Sequence, residues 1–317
     1  MLEFKDAKKC IKNANNIYIV GHINPDGDSI GAAFSLYLSL KKLGKNAHVI
    51  MPKCSDNFKF LPHIEDAVTY IKEDNIDLLI AVDASDISRL SISQEDIKKV
   101  NKILAIDHHK RNNVYGDINV IDEICPATCQ LMYEFLTYMK IKIDDEIATY
   151  LYSGILTDTG SFNYATTTKR TLEIVSKLVG LGIDFPFICK KLNDTIKESK
   201  LYLIAKTIEN METYENGKIR YSYVDYETIN NLGVEEEEAE GMTNYLRMVE
   251  GTEVAIYVRG KSDGSNKVSL RSGDKVDVSK IAMLFGGGGH RRASGYTMKE
   301  SVKISKEKLL NEIKKSI

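Results

Sequence analysis

Apolar residues in the first half of this chain come in short runs that stop abruptly at ionisable ones. Residues 17–20 (Ile-Tyr-Ile-Val) end just before His22, residues 76–82 end at Asp83, and residues 103–106 end at Asp107. Runs this short, bounded by polar residues, have the pattern of strands covered on both faces. A further strand begins at Ala47. Between the first two, Ala32, Ala33, Leu36 and Leu40 recur at helical spacing, which predicts a helix starting near Ser29. Strand-like and helical stretches alternate up to about Cys189, with helices expected between the strands. That alternation predicts βαβ units and an α/β domain, a mostly parallel sheet flanked by helices. Residues 126–139 and 144–156 then read as consecutive helices, and residues 170–179 as another, closed by Gly180 and Gly182.

The pattern changes after a long charged amphipathic stretch, residues 187–214. It holds no turn residue before Asn216-Gly217 and reads as a connecting helix. Residues 218–224 alternate like a strand of an antiparallel sheet, with Asn216-Gly217 as a hairpin signal. Residues 252–259 and 267–271 predict a second hairpin. The four-acid run at residues 235–238 reads as the solvated first turn of a helix continuing to Met248. The expected organisation is a catalytic domain over residues 1–188, a connecting helix over 189–206 and a smaller α+β domain over 207–317. A length of 317 residues suits two cores better than one.

The ends of the apolar runs carry the chemistry. His22-x3-Asp26-x-Asp28 places an imidazole and two carboxylates on the loop at the carboxyl end of a strand, where open α/β sheets bind ligands. Asn24-Pro25-Asp26-Gly27-Asp28 is also ordinary turn chemistry, so that segment alone decides nothing. Asp83, the Asp107-His108-His109 triplet and Asp158, at the end of an apolar helical stretch, change the balance. Each alone could be a helix cap or a core histidine; together they point to one shared site. Hard divalent cations take oxygen ligands with some imidazole, so the convergence predicts a dinuclear metal centre. Further on, four glycines at 286–289 are followed at once by His290, Arg291 and Arg292. That segment predicts an anion site in which consecutive N–H groups converge on phosphate oxygens.

Charge and composition narrow the picture. Lys and Arg number 43 against 45 Asp and Glu, a net charge of −2, which supplies no field to gather long nucleic acid. Any nucleotide must be held locally, which favours short substrates. Five cysteines, an odd number, fit reduced thiols in a cytoplasm. Cys125 and Cys129 are the one close pair, and without a second pair they read as buried thiols rather than zinc ligands. Residues 4–11 are a charged amphipathic stretch without the apolar core of a signal peptide, so none is expected, and no run approaches the ~18 apolar residues of a membrane span. A cytoplasmic location with no membrane partner is expected.

His22-x-Asn24-Pro25-Asp26-x-Asp28, Asp83, Asp107-His108-His109 and Asp158 resemble, in order, the four motifs of the DHH phosphoesterase superfamily. Gly-Gly-Gly-Gly-His-Arg-Arg-Ala-Ser-Gly at 286–295 resembles the glycine-rich motif of the DHH-associated C-terminal domain. Size and motif variants are most similar to the stand-alone bacterial nanoRNase family, oligoribonucleases that also act as phosphatases on 3′-phosphoadenosine 5′-phosphate. The resemblance implies two divalent cations, Mn²⁺ first, with Mg²⁺ or Co²⁺ as substitutes. It assigns His22, Asp26 and Asp83 to one ion and Asp28, Asp83, His108 and Asp158 to the other, with Asp83 bridging. It makes Asp107 an orienting residue and places His109 near the scissile phosphate. It also implies that Arg271, Gly287, Gly288, Gly289, His290 and Arg291 bind substrate, without separating Arg291 from Arg292.

The implied activity is hydrolysis of short oligoribonucleotides to mononucleotides, and of 3′-phosphoadenosine 5′-phosphate to AMP. The implied partners are short RNA and small nucleotides, not long nucleic acid, with a homodimer left open. Two other readings stay open. A phosphodiesterase for cyclic dinucleotides or their linear products shares the catalytic core. A non-catalytic nucleotide sensor would be expected to have lost ligands that this chain keeps. A family-II inorganic pyrophosphatase fits less well, because its C-terminal Ser-Arg-Lys-Lys-Gln signature does not occur here.

Overall fold

The structure, a computed structural model, describes residues 3–109, 114–235, 238–273 and 275–317. The chain divides into two compact units, Met1–Thr195 and Ile196–Ile317. The first opens with α1 (Phe4–Asn13), β1 (Asn16–Val20), α2 (Gly27–Lys42) and β2 (Asn46–Ile50). β3 (Leu78–Val82), the single turn α3 (Gln94–Ile97), β4 (Ile103–Asp107) and β5 (Ile118–Ile121) complete its sheet. The helices α4 (Thr128–Met139), α5 (Asp145–Asp158), α6 (Lys169–Val179) and α7 (Phe185–Asn193) follow.

The strands of this sheet are parallel throughout, in the order β2-β1-β3-β4-β5. Every residue of β3 is buried, because both faces are covered. Ile17, Ile19, Ile80 and Leu104 pack with Leu36, Phe135 and Tyr150 on one side. Tyr18, Val20, Leu79 and Ala81 pack with Ile71, Ala84 and Leu90 on the other. β1 leads outward to β2, and β3 leads the opposite way to β4. The strand order therefore reverses between β1 and β3, where a doubly wound sheet opens a crevice at its carboxyl edge.

Local pattern misjudged two connections here. The helix expected between the second and third strands is absent; that span carries single 3₁₀ turns at Asp56–Phe58 and Ile64–Asp66. Pro52 and Pro62 interrupt any helical register, and His63 takes a left-handed φ of 63°. The stretch expected as one connecting helix is two, α7 and α8 (Glu198–Glu209), broken over residues 194–197. At the break the Thr195 hydroxyl turns back to the Lys190 carbonyl at 2.9 Å. Beyond it, Leu203 and Ile204 of α8 share an apolar cluster with Val224, Ala255 and Tyr257 of the second unit.

The second unit continues with β6 (Glu212–Tyr214), β7 (Ile219–Val224), α9 (Tyr226–Asn231) and α10 (Met242–Arg247). Then come β8 (Val254–Gly260), β9 (Asn266–Ser272), α11 (Val278–Leu284), β10 (Gly288–His290), β11 (Ala293–Met298) and α12 (Val302–Lys314). Its sheet runs β10-β11-β9-β8-β7-β6, antiparallel except between β7 and β8. The expected hairpins are present as β6–β7, turning at Glu215–Gly217, and β8–β9. The helix expected from the acidic run begins only at Met242; Glu236 and Glu237 lie outside the described residues. Val268 and Leu270 of β9 face a core shared with Ile281, Leu309 and Ile313, while Lys267, Ser269 and Arg271 alternate onto the half-open face.

Candidate metal centre

The crevice between β1 and β3 collects the ionisable residues that end the apolar runs. His22 follows β1, Asp83 follows β3, and Asp107 closes β4. Asp28 lies in the first turn of α2, and Asp158 is the last residue of α5. Three compact groups result, His22/Asp26/Asp83, Asp28/His108/Asp158 and Asp83/His108/His109, each with its ligand atoms within 4.8 Å of one another; the first two hold the residues expected as ligands. Asp83 faces both. Its Oδ2 lies 3.6 Å from His22 Nε2, and its Oδ1 lies 3.6 Å from His108 Nε2. His22 Nε2 is also 3.7 Å from Asp26 Oδ1, and His108 Nε2 is 3.2 Å from Asp158 Oδ2 and 3.9 Å from Asp28 Oδ2.

Local chemistry fixes each of these side chains. Asp26 caps α2, accepting from the backbone N–H groups of Asp28 and Ser29 at 3.1 Å each, a cap that contributes about 1 kcal/mol to the helix. Asp28 is held at the amino end of α4, where Thr128 N–H and Cys129 N–H donate at 2.6 and 2.8 Å. The partial positive charge of that helix end favours a carboxylate there. Close packing of α2, α4 and α5 brings Asp158 in. A Cβ on Gly154, four residues before Asp158 on the same helix face, would collide with Cys129 Sγ and sit 2.9 Å from Asp28 Oδ1. Asp83 itself adopts a left-handed φ of 55°, a conformation costing on the order of 1 kcal/mol and tolerated best by Asp, Asn and Gly. His108 Nδ1 lies 3.0 Å from the Cys125 carbonyl. A proton on Nδ1 leaves Nε2 free as a ligand, the usual arrangement behind a metal-bound imidazole.

Acidic charge is buried and crowded in this cluster. Asp28 and Asp83 are 1% and 2% exposed. Burial and the neighbouring Asp158 push Asp28 up to about 7; burial with Asp28 and Asp26 pushes Asp83 up to about 7. Burial, then the Asp83 carboxylate, lifts Asp158 to about 6. Burial works against a charged His108, but Asp28, Asp158 and Asp83 outweigh it and raise its pKa. Crowded, buried carboxylates with imidazoles at their edge are groups that could hold a divalent cation. Four aspartates and two histidines, shared between two groups through one carboxylate, fit two such ions.

Asp107 belongs to none of these groups, and His109 joins only the one with Asp83 and His108. Asp107 Oδ1 accepts from the backbone N–H groups of His108 and His109 and from His109 Nδ1 at 2.8 Å. Burial disfavours its charge, but the His109 ring holds its carboxyl below the usual range. The same hydrogen bond pushes His109 up to about 9 against the effect of burial. His109 Nδ1 also lies 3.5 Å from Asp83 Oδ1. Lys110 lies outside the described residues.

In the second unit, Ala293 of β11 pairs with Arg271 of β9 on one side and His290 of β10 on the other. Arg271 and His290 therefore share a sheet face two strands apart, about 10 Å, with only a methyl group between them. The glycine run departs from the nest that its sequence suggests. The N–H groups of Gly286 and Gly287 donate to the Met283 and Ala282 carbonyls at the end of α11. A Cβ on Gly287 would strike the Gly295 carbonyl, so that glycine serves close packing of the chain against β11. Gly288, Gly289 and His290 form the exposed strand β10, and Arg291 and Arg292 are exposed after it.

Sequence reasoning overlooked Thr128. Its hydroxyl donates to Asp83 Oδ1 at 3.0 Å from a fully buried position. The segment was conspicuous only for its cysteines, and nothing local marks a threonine as a partner of a residue 45 positions away.

The description "DHH family, N-terminal domain" matches residues 16–155, and "DHHA1 domain" matches residues 216–317. The Thermus thermophilus bifunctional oligoribonuclease and PAP phosphatase NrnA is 31% identical over 289 residues, covering 89% of this chain and 84% of that protein. A probable bifunctional oligoribonuclease and PAP phosphatase NrnA of Streptococcus mutans is 28% identical, covering 97% of this chain and 98% of its own. Among solved structures, an exopolyphosphatase-related protein from Bacteroides fragilis superimposes with a TM-score of 0.90 at 26% identity, over 98% of this chain and 94% of the other. No helix among the described residues is long and apolar enough to cross a membrane.

Proposed function

This chain belongs to the DHH family and carries a DHHA1 domain, and from that premise we propose that it is a metal-dependent phosphoesterase acting on short oligoribonucleotides and on 3′-phosphoadenosine 5′-phosphate. The observation that carries this reading is the Asp83 carboxylate, one oxygen toward each ligand group. His22, Asp26 and Asp83 would hold one divalent ion; Asp28, Asp83, His108 and Asp158 would hold the other. Oxygen-rich ligation with a minority of imidazole suits Mn²⁺, with Mg²⁺ or Co²⁺ as substitutes. Bound there, such ions supply Lewis acidity toward a phosphoryl group and lower the pKa of water.

The chain's own residues do the positioning. Asp107 fixes the triplet loop and turns the His109 ring by its Nδ1, so Nε2 is the atom left to donate to a phosphate oxygen or a leaving group. Arg271, His290 and Arg291 would grip substrate phosphates. A guanidinium can do so through two parallel hydrogen bonds. Of the glycines expected to bind substrate, Gly288 and Gly289 are exposed and let the backbone come close, while Gly287 is taken up in packing against β11. With a net charge of −2, affinity comes from those few contacts, which suits short RNA and small nucleotides rather than long polymers. None of the five cysteines forms a disulfide, which fits action in a reducing cytoplasm.

A substrate panel with Mn²⁺ tests this reading: a dinucleotide, a pentanucleotide, 3′-phosphoadenosine 5′-phosphate, a cyclic dinucleotide and pyrophosphate. Turnover of the first three, lost in a chelator, is the expected result. Turnover of the cyclic dinucleotide alone would move the assignment to that phosphodiesterase class. Nucleotide binding without any turnover would make the chain a sensor.

A further inference from the structure

Residues 125–129, Cys-Pro-Ala-Thr-Cys, stand out in the sequence as a cysteine pair, yet four hydrogen bonds of this segment reach ligand side chains of the candidate metal centre. The Cys125 carbonyl takes His108 Nδ1 at 3.0 Å. Thr128 N–H and Cys129 N–H take the two oxygens of Asp28 at 2.6 and 2.8 Å. The Thr128 hydroxyl donates to Asp83 Oδ1 at 3.0 Å. One short segment thus touches three of the four residues assigned to the second ion, all but Asp158. One of the three, Asp83, is the carboxylate that both ions would share.

We propose that this segment is the clamp that pre-organises the metal centre and that Thr128, through its hydroxyl, is the positioning residue that sets how Asp83 divides its two oxygens. The proposal rests on the metal-centre reading above. Three of the four contacts come from the backbone, and the Cys129 thiol reaches only the Asp28 carbonyl, at 3.3 Å, so among these contacts the Thr128 hydroxyl is the one to a ligand side chain that a substitution can remove. The geometry argues against a merely local role. Ala127, not Thr128, is the N-cap of α4, and the first N–H groups of that helix are taken by the Asp28 carboxylate. The hydroxyl is therefore not used to cap its own helix; it crosses to the end of β3. Asp83 and Asp28 arrive from different elements and repel one another. A free carboxylate at Asp83 could rotate about its last bond, and a donor on Oδ1 removes that freedom while leaving Oδ2 toward His22. Outer partners of this kind typically change metal affinity by about 10- to 100-fold.

The test compares Thr128→Val, which keeps shape and backbone N–H, with Thr128→Ser, which keeps the hydroxyl. Mn²⁺ binding to the chelator-stripped full chain is measured by calorimetry, and melting temperature is measured in EDTA. The Val variant should bind Mn²⁺ about tenfold or more weakly and need correspondingly more Mn²⁺ for half-maximal turnover. The Ser variant should stay near wild type, and both should melt like wild type in EDTA. Wild-type affinity in the Val variant would overturn the clamp. So would equal weakening in the Ser variant, or a weakening matched by loss of stability in EDTA. If wild type itself takes up no Mn²⁺, the metal-centre reading falls, and the clamp with it.

Discussion

A single oxygen of Asp107 receives His109 twice, from the ring Nδ1 at 2.8 Å and from the backbone N–H at 3.2 Å. Asp107 is thereby occupied within its own triplet, which separates it from the carboxylates that face the ligand groups. In metal-free protein the bond should hold the His109 ring protonated up to about pH 9. The sign follows from linkage. The folded state keeps a proton that the unfolded chain releases near 6.5, so this stabilisation is complete below that pH and fades as pH rises through 9. Asp107→Asn should bring the ring's titration in EDTA, followed by NMR of its Cε1 proton, down toward the ordinary value. An unchanged titration would show that another group controls the ring.

Asp83→Asn separates the two roles of the bridging residue. Asn tolerates the left-handed backbone that this position requires, so the fold should survive. Asp83 carries a raised pKa when folded, so its ionisation weighs against folding increasingly as pH rises from the unfolded value near 4 to about 7. In EDTA the variant should therefore be more stable than wild type, with a larger margin at pH 8 than at pH 5. In excess Mn²⁺ the order should reverse, with metal content reduced at both positions and hydrolysis lost. Melting curves at the two pH values, with and without Mn²⁺, check this directly. Near wild-type turnover at saturating metal would rule out a shared carboxylate.

Arg271→Ala and His290→Ala should leave Mn²⁺ binding intact and impair handling of phosphate-bearing nucleotides. Each should cost on the order of 1.5–3 kcal/mol in kcat/KM, the range for a charge-assisted contact. Steady-state kinetics beside a Mn²⁺ titration make the comparison. Unchanged kinetics in both would remove the β9–β10 face from the site.

Much of the first sheet was legible because its strands are buried on both faces and so appear as unbroken apolar runs, each ending at the crevice. The same rule exposed His22, Asp83 and Asp107, since a polar residue directly after a buried strand has few places to go. What local pattern could not supply depends on distant partners. β5 is four residues long and gains its stability from pairing with β4. The division of residues 187–214 into α7 and α8 occurs without glycine or proline, where α8 turns to pack beside Val224 and Ala255. The glycines at 286 and 287 look like a phosphate nest until their N–H groups are seen to close α11. Thr128 carries no mark at all, because its partner Asp83 lies 45 residues away, just past the end of β3.

The most direct measurement is turnover against a series of labelled RNAs of increasing length, with Mn²⁺ and with EDTA. The described chain presents a nearly neutral surface charge balance and a small set of candidate phosphate contacts, so rates should be highest for two to about five nucleotides. They should fall as the RNA lengthens, vanish in EDTA, and depend only weakly on salt. Faster, processive degradation of long RNA, or turnover that survives EDTA, would contradict a metal-dependent phosphoesterase for short RNA.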